Sequence, residues 1–162
     1  MRFVNLQLLS LTIMISLLFV GSKWLVLNSF SDAPDAPIAT TAQIHELLTS
    51  DSNSNRFVIV DVRSKAESDV SMIPGALTKS EFENTAHEHQ GKLVIAYCTI
   101  GVRSGYYAAD LIQKGWTARN YRGSILDWCE NNSPLTCNGV ETNLVHTYSP
   151  RYSVNENYVA VN

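Results

Sequence analysis

Short apolar runs separated by amphipathic stretches set the first reading of this chain. Phe57-Val58-Ile59-Val60 and Leu93-Val94-Ile95-Ala96-Tyr97 are continuous instead of alternating, the pattern of strands covered on both faces. Apolar residues recur at helical spacing elsewhere. Ile44, Leu47 and Leu48 follow Thr40 and Gln43, which have capping-box spacing, and Tyr107, Ala108, Leu111 and Ile112 share a helix face that Lys114 and Gly115 terminate. Asp51 to Asn55 reads as a polar turn, and Ile73-Pro74-Gly75-Ala76 as another, followed by a short strand at Ala76 to Thr78. Ser80 to Gln90 predicts a helix with a weak apolar face, Thr117 to Tyr121 a strand, and Gly123 to Cys129 a last short helix. Strands alternating with helices predict an α/β fold, with a central, mostly parallel sheet and helices on both faces.

The N-terminus follows a different pattern. Phe3 to Ser22 carries no charge and is rich in Leu, Ile, Val, Met and Phe. As a helix it would be about 30 Å long, enough to cross a bilayer core. Residues 1–28 are therefore expected to be a signal peptide or a membrane anchor, Val20-Gly21-Ser22 offering small residues of the kind cleaved; the alternative is a buried soluble helix. Arg2 and Lys23 flank the segment with one charge each, so orientation is barely decided. Either exported reading places the rest of the chain outside the cytoplasm, periplasmic or membrane-anchored. Residues 29–39, with Pro34 and Pro37 among small polar residues, read as a linker.

Composition narrows the partners. The chain has 162 residues, 45% of them hydrophobic, enough for one domain with a core. A net charge of −3 and a pI near 5.7, with no Lys/Arg block, leave no electrostatic footprint for nucleic acid.

The candidate chemistry sits at Cys98. The apolar run ending at Tyr97 delivers this cysteine to a tight turn, Cys98-Thr99-Ile100-Gly101-Val102-Arg103, from which a helix starts at once. A loop passing from strand to helix turns backbone N–H groups inward and adds the helix's positive dipole end, which suits an anion and favours thiolate over thiol. Gly101 permits a conformation closed to bulkier residues, and Arg103 adds a planar cation. The competing reading of Cys98 is a small buried hydrophobe.

Asp61-Val62-Arg63, Glu67, Ile73-Pro74-Gly75-Ala76, Cys98-x-x-Gly101-x-Arg103-Ser104 and Gly123 with Trp128 resemble, in order and spacing, the rhodanese homology domain. The likeness covers residues 40–130 and leaves 131–162 as a C-terminal extension. Met72 departs from the histidine that many members carry before the Ile-Pro-Gly turn, and Arg122-Gly123 from a common Gly-Gly pair.

The resemblance implies sulfur transfer. Cys98 would take a sulfane sulfur from thiosulfate or a persulfide and pass it to a thiophilic acceptor, a thiol or cyanide, with no cofactor and no metal. Thr99, Ile100, Gly101, Val102 and Arg103 would supply loop N–H donors. Arg103 would either grip the sulfonate end of thiosulfate or pair with a nearby acid. Asp61 and Arg63 read as a salt-bridged support under the site, and Trp128 as core shielding one side of it. Related phosphatases have a loop one residue longer, so the four residues between Cys98 and Arg103 favour sulfur. Two alternatives remain: a noncatalytic rhodanese-like binding module, and a cysteine-dependent phosphatase or arsenate reductase.

His45, His87, His89 and His146 lack metal-ligand spacing. In an oxidising compartment Cys129 and Cys137 would close a short loop, worth about 2–3 kcal/mol. The alternative reading has Cys129 resolving an oxidised Cys98. Residues 138–162 show no helical stripe, and Tyr158-Val159-Ala160-Val161 reads either as an edge strand or as a mobile end.

Overall fold

The structure is a computed structural model and describes residues 36–50 and 55–162. The apolar segment at 3–22, the linker as far as residue 35 and the turn at 51–54 lie outside the described residues.

Five strands form one parallel sheet: β1 (Ile38–Ala39), β2 (Phe57–Asp61), β3 (Leu77–Thr78), β4 (Leu93–Tyr97) and β5 (Ala118–Tyr121), in the order β1-β5-β4-β2-β3. The two continuous apolar runs lie side by side in its middle, Val58 opposite Val94 and Val60 opposite Ala96. Alternate side chains on each strand enter opposite cores, which is why neither run alternates with polar residues. Ile59, Ile95 and Tyr97 face one core, with Ile44 of α1 (Thr41–Thr49) and Ile125, Trp128 and Cys129 of the helix at Ser124–Glu130. Val58, Val60, Val94 and Ala96 face the other, with Phe82, Tyr107, Ala108 and Leu111. These last come from helices at Lys79–Asn84 and Val102–Gln113. In chain order the remaining helices are α2 (Lys65–Ser68), α3 (Lys79–Asn84), α4 (Val102–Gln113) and α5 (Ser124–Glu130). The α/β expectation, with helices on both faces, holds.

The Thr40–Gln43 capping box forms: the Gln43 N–H donates to Thr40 Oγ1 at 3.3 Å, and the Thr40 N–H to Gln43 Oε1 at 3.1 Å. Several expectations need correction. The linker does not run to residue 39, because Ile38 and Ala39 pair with Asn120 and Tyr121 at the sheet edge. A two-residue strand carries no periodicity to read. The helix expected over Ser80 to Gln90 ends at Asn84 and continues as a 3-10 turn at Ala86–His89. Thr85 caps α3 there, its hydroxyl donating to the Glu81 carbonyl at 2.8 Å. Ile112 is left half-exposed at the edge of the α4 face that Tyr107, Ala108 and Leu111 bury.

The segment after residue 130 is folded. β6 (Leu135–Cys137) and β7 (Val140–Thr142) make an antiparallel hairpin across Asn138-Gly139, both in the left-handed region at φ 50° and 79°. Met72 and Thr136 exchange backbone hydrogen bonds of 2.8 and 2.9 Å, tying the hairpin to the domain. β8 (Leu144–His146) pairs in parallel with β9 (Val159–Val161), so the last residues form a strand. Val145 and Thr147 are fully buried, and Tyr158 Oη donates to the Ser133 carbonyl at 2.6 Å.

Candidate active site

β4, with a neighbour on each side, ends at Tyr97, and Cys98 to Gly101 cross to α4 at the carboxyl end of the sheet, where open α/β folds bind ligands. The loop's carbonyls are fixed first. The Ile125 N–H of α5 donates to the Cys98 carbonyl at 3.2 Å, and the Leu126 N–H to that of Thr99 at 3.4 Å. With those carbonyls held, the Gly101 N–H points to Cys98 Sγ at 3.2 Å. Gly101 sits at φ 86°, and a Cβ there would stand 2.2 Å from the Arg122 carbonyl oxygen, so both conformation and space demand glycine.

Two serines frame the sulfur. Ser104 Oγ lies 3.5 Å from Cys98 Sγ and 2.7 Å from Asn120 Oδ1, so its one proton serves either, while Asn120 Nδ2 donates to the Gly101 carbonyl at 3.0 Å. Ser124, at φ 56°, accepts from the Cys98 N–H at 3.1 Å and donates to the Tyr121 carbonyl at 2.8 Å. Burial is the largest influence on the Cys98 thiol and acts against ionisation. The Ser104 hydroxyl and the backbone N–H groups of Ser104, Ile100 and Gly101 together outweigh it, and the Cys98 pKa is lowered.

Arg103 takes the second of the two roles left open by sequence. Its guanidinium forks onto Glu67, Nη1 to Oε2 at 2.8 Å and Nη2 to Oε1 at 2.7 Å, and also donates to Thr99 Oγ1 at 2.9 Å. The Glu67 side chain is 3% exposed against 37% for Arg103. Burial raises the Glu67 pKa, but the hydrogen bonds from Arg103 and Ser64 prevail and hold it at about 2. Thr99 Oγ1 donates to the same carboxylate at 3.0 Å, so Glu67 braces the loop through two side chains. Glu67 is positioned by its own helix start, with Ser64 N–H and Oγ donating to it at 3.0 and 2.8 Å.

Asp61 and Arg63 form the expected pair, fully buried, with Arg63 Nη2 to Asp61 Oδ2 at 2.7 Å. Tyr97 Oη also donates to Asp61 at 2.8 Å, and Arg63 Nη2 donates to the Ser71 carbonyl. The pair ties the end of β2 to the strand carrying Cys98. Trp128 is core, 1% exposed, its Nε1 donating to the Pro134 carbonyl at 2.8 Å and its ring stacked on His45.

The structure contains neither disulfide considered from the sequence. All three cysteines are free thiols: Cys129 is buried in the core with Ile125 and Trp128, whereas the Cys137 thiol on β6 donates to the Asp69 carbonyl at 3.2 Å. No bridge joins Cys129 to Cys137 or to Cys98. Burial pushes the Cys129 thiol up to about 12, leaving almost no thiolate for exchange.

Sequence reasoning quoted Glu67 and Ser104 without giving either a role, and missed Asn120 and Ser124. The Glu67 signal was there, three residues after Ser64 at capping-box spacing. Ser124, 26 residues from Cys98, had no local signal. Among the described residues, no group of three or more His, Cys, Asp or Glu side chains is placed to hold a metal ion. A concavity of about 680 Å³ lies between α2, Ile73–Ala76 and the β6–β7 turn, and Cys98 does not line it.

A sequence model of the rhodanese-like domain matches residues 41–131. No curated protein matches the chain. Among solved structures, a rhodanese-like domain protein from Staphylococcus aureus is 26% identical, with 57% of this chain and 90% of that one covered and a TM-score of 0.49. A protein of unknown function from Rhodopseudomonas palustris, described as a possible tyrosine phosphatase, is 23% identical over 62% of this chain and 85% of its own, at a TM-score of 0.54. A thiosulfate sulfurtransferase from Pseudomonas aeruginosa is 20% identical over 65% of this chain, at a TM-score of 0.52; the match spans only 21% of that protein. The last two likenesses speak to fold alone. Model match, sheet order and loop geometry agree, and the chain belongs to the rhodanese-like domain family.

Proposed function

We propose that this domain is a sulfurtransferase that carries a sulfane sulfur on Cys98, from thiosulfate or a persulfide to a thiol or cyanide. The observation that carries the reading is the convergence of N–H and hydroxyl donors on Cys98 Sγ, which lowers its pKa despite burial. The thiolate attacks the outer sulfur of thiosulfate. A new S–S bond forms on Cys98, the donor's S–S bond breaks, and sulfite leaves with the electron pair. The terminal persulfide sulfur is anionic and rests among the same donors. An acceptor thiolate or cyanide then takes that outer sulfur, and Cys98 departs as thiolate, giving ping-pong kinetics.

Arg103 favours this reading over phosphoryl transfer. A phosphoryl group is clamped on its equatorial oxygens by guanidinium N–H groups, and both terminal nitrogens of Arg103 are turned onto Glu67. A persulfide needs no such clamp. A mere binding module would have no use for an activated thiol. The uncharged stretch from Phe3 to Ser22 supports placing the domain outside the cytoplasm, anchored or cleaved.

Intact mass after incubation with thiosulfate tests the chemistry: wild type gains about one sulfur atom, removable by thiol, and Cys98→Ala gains none. Thiocyanate formation from cyanide should follow the same pattern. Efficient hydrolysis of an aryl phosphate without sulfur uptake would overturn the reading.

A further inference from the structure

The segment beyond the family's span places one side chain at the site. Tyr148 follows β8, and its ring lies over the Arg103 guanidinium, 5.1 Å from Cζ to the ring centroid. Arg103 in turn donates to Thr99 Oγ1 at 2.9 Å, next to Cys98 in the loop. The tyrosine is therefore one guanidinium away from the Cys98 loop.

Its conformation is held on purpose-built supports. Tyr148 has φ 68°, a strained setting for a bulky residue, and its N–H donates to His146 Nδ1 at 3.0 Å. The preceding Thr147 is fully buried, its N–H donating to the Val161 carbonyl at 3.0 Å and its Oγ1 to Asn162 Oδ1 at 2.8 Å. So anchored, the ring lies over Arg103 while the residue stays 63% exposed. Ile100 and Val102, on the loop and the first turn of α4, add exposed apolar surface, and the Arg103 charge is already balanced by Glu67.

We propose that Tyr148 is a specificity-determining residue of the Cys98 site, favouring sulfur donors that carry an aromatic group beside the reacting sulfur. The proposal rests on the sulfurtransferase reading. A second charge on the donor gains little from a guanidinium that is already paired, whereas an arene gains ring contact with Tyr148. With benzenethiosulfonate, the Cys98 thiolate takes the outer sulfur, the donor's S–S bond breaks, and benzenesulfinate leaves with the electron pair.

The test compares wild type, Tyr148→Ala and Tyr148→Phe, measuring KM and kcat for thiocyanate formation from cyanide with benzenethiosulfonate and with thiosulfate. Loss of the ring should raise the benzenethiosulfonate KM by about 3- to 10-fold and the thiosulfate KM by less than about 2-fold, the scale of one aromatic contact. Tyr148→Phe, which keeps the ring, should match wild type. Equal changes for the two donors, or none, would overturn the proposal. If neither donor adds sulfur to wild-type Cys98, the sulfurtransferase reading falls and this inference with it; if thiosulfate alone does, only this inference falls.

Discussion

At the residue scale, the site depends on a carboxylate that never meets the sulfur. Glu67 receives Arg103, Thr99 and Ser64, and by holding the first two it sets the loop's shape while balancing the Arg103 charge. Glu67→Gln should lower stability by about 1–3 kcal/mol, less than for a fully enclosed pair because part of Arg103 meets water. Urea unfolding at neutral pH measures it. The pH dependence has a definite sign. The folded pKa of about 2 lies below the ordinary 4.5, so the stabilisation is complete above pH 4.5 and is lost as pH falls toward 2. The stability difference between wild type and Glu67→Gln should therefore shrink across that window.

At the scale of elements, the β4–α4 connection works because it turns backbone N–H groups, alongside the Ser104 hydroxyl, toward the sulfur. Gly101 is where this is most constrained, since a methyl group would collide with the Arg122 carbonyl and the φ of 86° would strain any other residue. Gly101→Ala must move the loop against the β5–α5 turn, displacing the N–H that bonds Cys98 Sγ. Gly75, at φ 75° with open space around its Cβ position, is the control. Gly75→Ala should cost about 1 kcal/mol of left-handed strain and leave Cys98 reactivity intact. Gly101→Ala should cost more than that and slow Cys98 alkylation by iodoacetamide by at least about 10-fold at neutral pH. Equal alkylation rates in the two variants would mean that the loop amide contributes nothing to thiolate stability.

At the scale of the molecule, two cores flank one sheet and the C-terminal segment closes over part of the first. Asn155 Nδ2 donates to the Cys129 carbonyl at 2.8 Å, and Val154 and Tyr158 pack on the same core. Cys129 is sealed there, which decides its chemistry more than its distance along the chain from Cys137 does. Non-reducing mass spectrometry of the native protein should find three thiols and no disulfide. Cys129 should resist alkylation until the fold is denatured, because a thiol raised to about 12 has almost no thiolate at neutral pH. A Cys129 that reacts as fast as Cys137 in the native state would mean that the tail does not seal the core.

The sheet, its helical cover and the position of Cys98 were legible in the sequence because they are written in local patterns. Continuous apolar runs mark doubly covered strands, and a cysteine at the end of one, before a glycine and a helix start, falls where amides converge. The Asn138-Gly139 hairpin was equally local and was overlooked. The partner of Arg103 was not legible, since an acid at residue 67 becomes its neighbour only when β2 and β4 pair side by side. Ser124 and Asn120 reach the loop through β5 and α5 in the same way, and Tyr148 through the β8–β9 pairing. Sequence alone determined where the candidate nucleophile sits; only the tertiary structure decided what surrounds it, because contacts between distant segments depend on how strands are ordered, and strand order leaves no local trace.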